Sequence, residues 1–279
     1  MPFVRMHGIG NDYIYLDEQE TAIPAPSASL ARWARRLADR HSGIGGDGLI
    51  ILRRDPDFPC RMEMYNADGS RAEMCGNGLR CVAKLAWERG YSQGMSFFVN
   101  TDSGPREVQV LMTDDAPGAG CVEVRVRAAM GVPETVEESL QVMAGGKSFR
   151  GTYLRLGNPH FVVELSTDLA SFPVEKHGPL LECHERFEER ANVEFVQIRD
   201  PQQMNIRVWE RGAGETRACG TGACAAVAAL HQLGQVADQV TVHLSGGDLR
   251  VEVAENGNIW MTGPAQEICR GTFRRELVE

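Results

Sequence analysis

Short apolar runs broken by polar, glycine-bearing turns recur along most of the chain, and their spacing is that of strands rather than helices. The runs at 48–52, 61–65, 95–100, 107–112, 121–128, 152–156, 161–164, 194–198, 205–209, 240–244, 249–254 and 259–262 read as β-strands. Gly-Gly-Asp and Asn-Gly turns divide the last three, and a solvent-exposed hairpin turn is expected at 114–120. Residues 29–41 carry the 3.6-residue apolar periodicity of an amphipathic helix. The chain is therefore α+β.

One stretch of pattern occurs twice. Met64-Tyr-Asn-Ala-Asp-Gly-Ser-Arg-Ala-Glu-Met-Cys75-Gly-Asn-Gly and its sequel to Gly90 align without a gap, at an offset of 144 residues, with the segment from Val208 to Gly234. The offset superimposes Cys75 on Cys219, Gly76 on Gly220, Gly78 on Gly222, Tyr65 on Trp209 and Asn66 on Glu210. Each copy predicts a strand, a polar loop, then a Cys-Gly-x-Gly opening to an Ala/Leu/Val-rich helix stopped by glycine. The repeat predicts two pseudo-symmetric domains, each a mainly antiparallel sheet wrapped around a central helix, with an active site in the cleft between them. The expected halves are 1–129 plus 266–279, which return as a strand, and 130–265.

Composition narrows the function. With 279 residues, 43% hydrophobic and 24% charged, the chain is an ordinary globular one. Its net charge of −9 offers no basic footprint for nucleic acid or anionic membrane. No stretch approaches the roughly 20 apolar residues of a membrane span. The first residues look like neither a signal nor a transit peptide, so a cytoplasmic, bacterial protein is expected. Eight cysteines in a chain of this size do not suggest a disulfide framework, and none has zinc-ligand spacing. Cys60, Cys121, Cys183 and Cys269 are expected as buried apolar filler, as are Cys81 and Cys224.

Cys75 and Cys219 are different, because each opens a helix at an equivalent place in a repeat. Inverting a carbon stereocentre requires a base on one face and an acid on the other. Equivalent residues of two halves can face one carbon from opposite sides. A free thiol ionises near pH 8.5, and a helix N-terminus is expected to bring that towards neutrality. The amides of Gly76, Asn77, Gly220 and Thr221 then suit a carboxylate and the charge that grows on it as the proton leaves. Lys84, Lys147 and Lys176 are the only lysines, and none sits in a loop prepared for a pyridoxal Schiff base.

These motifs resemble the diaminopimelate epimerase family. The likeness covers essentially the whole chain and rests on Met6-His-Gly-Ile-Gly-Asn-Asp12, Gly43-Ile-Gly-Gly-Asp-Gly48, Tyr65-Asn-Ala-Asp-Gly-Ser70, Cys75-Gly-Asn-Gly-Leu-Arg-Cys81, Gly157-Asn-Pro-His160, Arg190-Ala-Asn192 and the run from Glu210 to Cys224. The resemblance implies interconversion of LL- and meso-diaminopimelate, without cofactor or metal, by a homodimer. It implies Cys75 and Cys219 as the acid/base pair, with His160 and Glu210 adjusting their pKa values. It implies that Asn11, Asn66, Asn158, Asn192, Glu210 and Arg211 hold the substrate. Gly48 departs from members that carry a substrate-touching glutamine there, so no contact is assigned to it. Read without the family, Asn11 and Asn158 are equally good turn residues, His7 is a structural hydrogen-bonding group, and Arg71 and Arg80 are solvated or ion-paired.

Other readings stay open. Proline and hydroxyproline racemases share paired cysteines, but their substrates lack a second amino-acid end. Phenazine-biosynthesis isomerases lack the cysteine pair. A redox sensor closing a Cys75–Cys219 disulfide is the reading from another class.

Overall fold

The structure, a computed structural model, describes residues 1–23, 27–113 and 123–278. The turn expected at 114–120 and Cys121 lie outside the described residues. The chain divides into two compact units, Met1–Ala128 with Gly263–Glu279, and Ala129–Thr262.

In the first unit, β1 (Pro2–Gly8) and β2 (Asn11–Asp17) form a hairpin, then α1 (Ser27–Ala38) leads to β3 (Gly48–Arg53), β4 (Cys60–Asn66) and the short β5 (Arg71–Ala72). The helix α2 (Gly76–Glu88) is followed by β6 (Ser96–Asn100), β7 (Arg106–Thr113) and β8 (Glu123–Gly131). Neighbours pair antiparallel except β2 with β3 and β4 with β6, which run parallel.

The second unit repeats this plan. It runs β9 (Glu134–Ala144), β10 (Lys147–Leu156), β11 (Asn158–Glu164), α3 (Val174–Glu182), β12 (Asn192–Asp200), β13 (Gln203–Glu210) and β14 (Gly214–Thr216). Then come α4 (Gly220–Gln232), β15 (Gln239–Leu244), β16 (Gly247–Val253) and β17 (Ile259–Pro264). Among the described residues of this unit two pairs are again parallel, β11 with β12 and β13 with β15. β18 (Gln266–Thr272) returns to the first unit and pairs with β1, as β9 pairs with β10. The α+β class and the internal duplication expected from the sequence are both present.

Each sheet is covered on two faces. In the first unit Leu30, Trp33, Ala34 and Leu37 of α1 sit at helical spacing and pack with Ile14, Leu16, Leu49 and Ile51. In the second, Val174 and Leu181 of α3 pack with Phe161, Val193 and Phe195. The other face is covered by α2 or α4. Nearly all of α4 is buried, and its alanines let backbone approach backbone closely. Among the described residues, no helix is long and apolar enough to cross a membrane.

Several expectations are corrected. α1 ends at Ala38 rather than 41. The sequence pattern missed β1, β2, β9 and α3. Cys183 and Cys269 are exposed, not buried filler: Cys183 caps the end of α3, and Cys269 lies on the largely solvent-facing β18. Cys60, Cys81 and Cys224 are buried as expected.

Candidate functional site: two capped thiols

In the first unit Cys75 is the N-cap of α2, with extended backbone (φ −133°, ψ 122°), and its Sγ accepts from the Gly78 amide at 3.5 Å. Gly76 and Asn77 occupy the first two helical positions, whose amides have no acceptor within a helix. Asn11, at the start of β2, brings its Oδ1 to 3.4 Å from Cys75 Sγ and accepts from Asn77 Nδ2 at 3.3 Å. Its orientation is set by Asp47, whose Oδ2 accepts from Asn11 Nδ2 at 2.7 Å and from the Asp12 amide at 3.0 Å. Asp12 is in turn held between Arg5 and Arg40, which keep its carboxyl below the usual range despite burial. Tyr13 is buried with its hydroxyl against Asn11 and Cys75; burial first, then the thiol, pushes its pKa well up.

Asn66 ends β4 and donates to Ser70 Oγ at 3.0 Å, inside a turn closed by Asp68. Gly48 faces it across the strand pair. A Cβ on Gly48 would lie 2.2 Å from the Tyr65 carbonyl oxygen and 3.1 Å from Asn66 Cα, so no side chain fits here without moving backbone. His7 accepts from the Gly10 amide at 3.1 Å, a turn-closing role. Arg71 pairs with Asp102, and Arg80, fully buried, donates to the Pro264 carbonyl at 3.3 Å.

In the second unit Cys219 caps α4 in the same way (φ −104°, ψ 104°), accepting from the Gly222 amide at 3.3 Å, with Thr221 Oγ1 at 3.5 Å. Gly220 and Thr221 take the first two helical positions. His160 on β11 has no exposed surface. Its Nδ1 lies 2.7 Å from Glu194 Oε1 and its Nε2 2.8 Å from Asn158 Oδ1. Glu210 ends β13 and accepts from the Thr216 hydroxyl; burial raises its pKa, with Glu194 adding to the rise.

Asn192 opens β12, buried. It donates to the Pro159 carbonyl at 3.2 Å and accepts from the Arg211 amide at 2.9 Å. The Arg211 guanidinium is exposed and donates to the Glu189 carbonyl at 2.8 Å. The loop carrying it is anchored by Glu182, a residue sequence reasoning did not single out. Glu182 accepts from Trp209 Nε1 at 2.8 Å and from the Gly212 amide at 2.9 Å. Glu194, Asp47 and Tyr13 were missed as well.

The expectation that the helix end brings both thiols towards neutrality fails for Cys219. Burial first, then Glu210 and Glu194, push its pKa well above the ordinary value, and the Thr221 hydroxyl and Gly222 amide only partly offset them. Neither Cys75 nor Cys219 is in a disulfide. Among the described residues, no three His, Cys, Asp or Glu side chains gather as a metal site. Two of the lysines are engaged elsewhere, Lys84 on the Ala265 carbonyl and Lys147 over the rings of Phe149 and Phe172.

The sequence model of the family described as diaminopimelate epimerase matches residues 3–136 and 152–268. Diaminopimelate epimerase of Bacillus mycoides is 39% identical over 290 aligned residues, covering 99% of this chain and 98% of the relative. That of Geobacillus thermodenitrificans is 41% identical, covering 97% and 96%. Among solved structures, a phenazine biosynthesis protein of the PhzF family from Bacillus anthracis aligns with a TM-score of 0.75 at 15% identity, over 98% of this chain and 99% of the other. A probable proline racemase from Agrobacterium radiobacter aligns at 0.74 and 17%, over 98% and 93%. Those two likenesses speak to the fold alone. With the family model and the close relatives both spanning nearly its whole length, the chain belongs to the diaminopimelate epimerase family.

Proposed function

We propose that this chain is an isomerase that interconverts LL- and meso-2,6-diaminopimelate by two-thiol acid/base chemistry, without cofactor. The observation that carries the mechanism is the duplicated cap: Cys75 and Cys219 each accept the third amide of a helix that opens Cys-Gly-x-Gly.

One thiolate takes the α-proton from the substrate carbon, becoming a thiol. The electron pair left behind delocalises onto the α-carboxylate, where the amides of Gly76 and Asn77 or of Gly220 and Thr221 meet the growing charge. The other thiol returns a proton to the opposite face and becomes the thiolate. No proton is gained or lost overall, and the two sulfurs exchange states, so a turnover in the reverse direction starts from the exchanged form.

The remaining site residues divide the substrate between them. Arg211 offers a planar guanidinium to the distal carboxylate, and Glu210 a carboxylate to an ammonium. Asn11, Asn66, Asn158 and Asn192 supply amide oxygens and nitrogens that complete the amino-acid contacts. His160 and Glu210 set the Cys219 pKa. An ammonium arriving beside Glu210 would counter the carboxylates that hold the thiol protonated. In this reading residues 1–129 with 266–279 form one catalytic half and 130–265 the other. The enzyme works as a homodimer in the bacterial cytoplasm, supplying lysine and peptidoglycan synthesis.

Deuterium exchange at the α-carbon in heavy water tests the substrate. Incorporation is expected with LL-diaminopimelate and not with proline; exchange with proline alone overturns the assignment.

A further inference from the structure

The two half-sites share one plan but not one chemistry. Sheet register pairs Ile14 with Leu49 in the first unit and Phe161 with Val193 in the second, so Tyr13 and His160, one residue earlier, occupy equivalent places. The 144-residue offset makes Ile50 the equivalent of Glu194 and Asn66 that of Glu210. Glu194, Glu210 and His160 of the second unit are thus matched, at the equivalent places of the first, by groups that stay neutral at physiological pH: isoleucine for glutamate, asparagine for glutamate, tyrosine for histidine.

The same substitution is visible at the glycines behind the thiols. A Cβ on Gly78 would meet Ile50 Cδ1 at 2.6 Å. A Cβ on Gly222 would meet Glu194 Oε1 at 2.8 Å and Cys219 Sγ at 3.1 Å, so the carboxyl group and the thiol both press on one α-carbon. Glu194 has no exposed surface, lies mid-strand among Val193, Phe195 and Val196, and its Oε2 has no hydrogen-bond partner. A buried carboxyl with an idle oxygen is costly to the fold. The mechanism proposed above gives it no contact with substrate.

We propose that Glu194 is a positioning residue for Cys219: it fixes the His160 ring through Nδ1 and holds behind the thiol a carboxyl that the first half, with Ile50 at the equivalent place, does not hold behind Cys75. This rests on the two-thiol reading for its consequence, which is that the resting enzyme begins in one of its two protonation forms rather than in a mixture. Among the described residues of its unit, the charged groups acting on Cys219 are Glu194 from β12 and Glu210 from β13, with the Thr221 hydroxyl and Gly222 amide from α4, and His160 from β11 stands behind Glu194.

The test is a thiolate titration of the full chain without substrate. Absorbance at about 240 nm is followed against pH, and the trace of the matching Cys219→Ser protein is subtracted to isolate Cys219. Two variants are used, Glu194→Gln, which keeps the shape, and Glu194→Ile, which installs the residue the first half already carries there. Both are expected to shift the Cys219 midpoint down by about one pH unit, a roughly tenfold rise in thiolate fraction at fixed pH below it. The Cys75 midpoint, isolated against Cys75→Ser, should not move. An unmoved Cys219 midpoint in whichever variant folds, or equal movement of both thiols, overturns the proposal. Because no substrate is present, that failure would leave the epimerase reading to stand or fall on the exchange experiment.

Discussion

A methyl group added at Gly222 tests how tightly the second thiol is held. Gly222 is the third residue of α4, fully helical, so alanine suits its backbone and gains up to about 1 kcal/mol in helix propensity. The space is another matter. The new Cβ would stand 2.8 Å from Glu194 Oε1, which the bond to His160 holds in place, and 3.1 Å from Cys219 Sγ. Overpacking of this kind costs about 1–3 kcal/mol, so Gly222→Ala should lose about 0–2 kcal/mol of stability, a Tm lower by a few degrees. The larger effect falls on catalysis. Relief requires Sγ to retreat by a few tenths of an ångström, and because about 1 Å of misplacement can cost about a hundredfold, kcat/KM should drop about tenfold. Gly78→Ala is the control. Its obstacles are the free ends of Ile50 (2.6 Å) and Met62 (3.1 Å), which can rotate away, and Cys75 Cβ at 3.6 Å is an ordinary contact. It should stay within about 1 kcal/mol and about twofold of the parent. Coupled assays of epimerisation and thermal melts of both variants decide the matter. Full activity in Gly222→Ala, or equal loss in both, would refute the reasoning.

Two further outcomes follow from the second unit. Burial raises the Glu210 carboxyl above its ordinary 4.5, so its protonated form is favoured in the fold: its contribution to stability is present below that pH and is lost as pH rises through the folded value. Glu210→Gln should therefore melt higher than the parent at neutral pH but not at about pH 4, while kcat/KM falls about tenfold to a hundredfold through loss of a charged partner for the ammonium; a lower Tm at neutral pH contradicts this. Glu182→Gln turns an amide NH2 towards one of two donors, Trp209 Nε1 or the Gly212 amide, at a cost of about 1–3 kcal/mol. The Arg211 loop should loosen, raising KM about tenfold with a smaller change in kcat, and steady-state kinetics showing the reverse split would remove Glu182 as its anchor.

Where the duplication is gapless, the fold was legible: from β3 to β6 and from β12 to β15 one offset carries strand, loop, cap and helix. Upstream it changes from 144 to 147, because the connections between β2 and β3 and between β11 and β12 differ in length. That shift hid the equivalence of Tyr13 and His160, although Gly10-Asn11 and Gly157-Asn158 carry it. α3 escaped notice because Gly178 and Pro179 sit within nine residues, a composition that argues against helix. β9 was masked by the glutamates on its outward face. Glu194 was the most readable of the missed residues. A glutamate inside Val193-Glu-Phe-Val196 has to be buried by strand alternation and its neighbours, and a buried carboxyl there calls for a partner. What no pattern could supply was the balance at Cys219, where a helix N-terminus pulls one way and burial with two carboxylates pulls the other.

The central claim is that two sulfurs, one from each unit, both move protons in every turnover. Cys75→Ala and Cys219→Ala, each checked for an unchanged melt, put it to the most direct test in an assay of net conversion of LL- to meso-diaminopimelate. Loss of a positioned acid or base costs about 10²–10⁴-fold, so each variant alone should fall at least about a hundredfold. Turnover near the parent rate in either one would contradict the account.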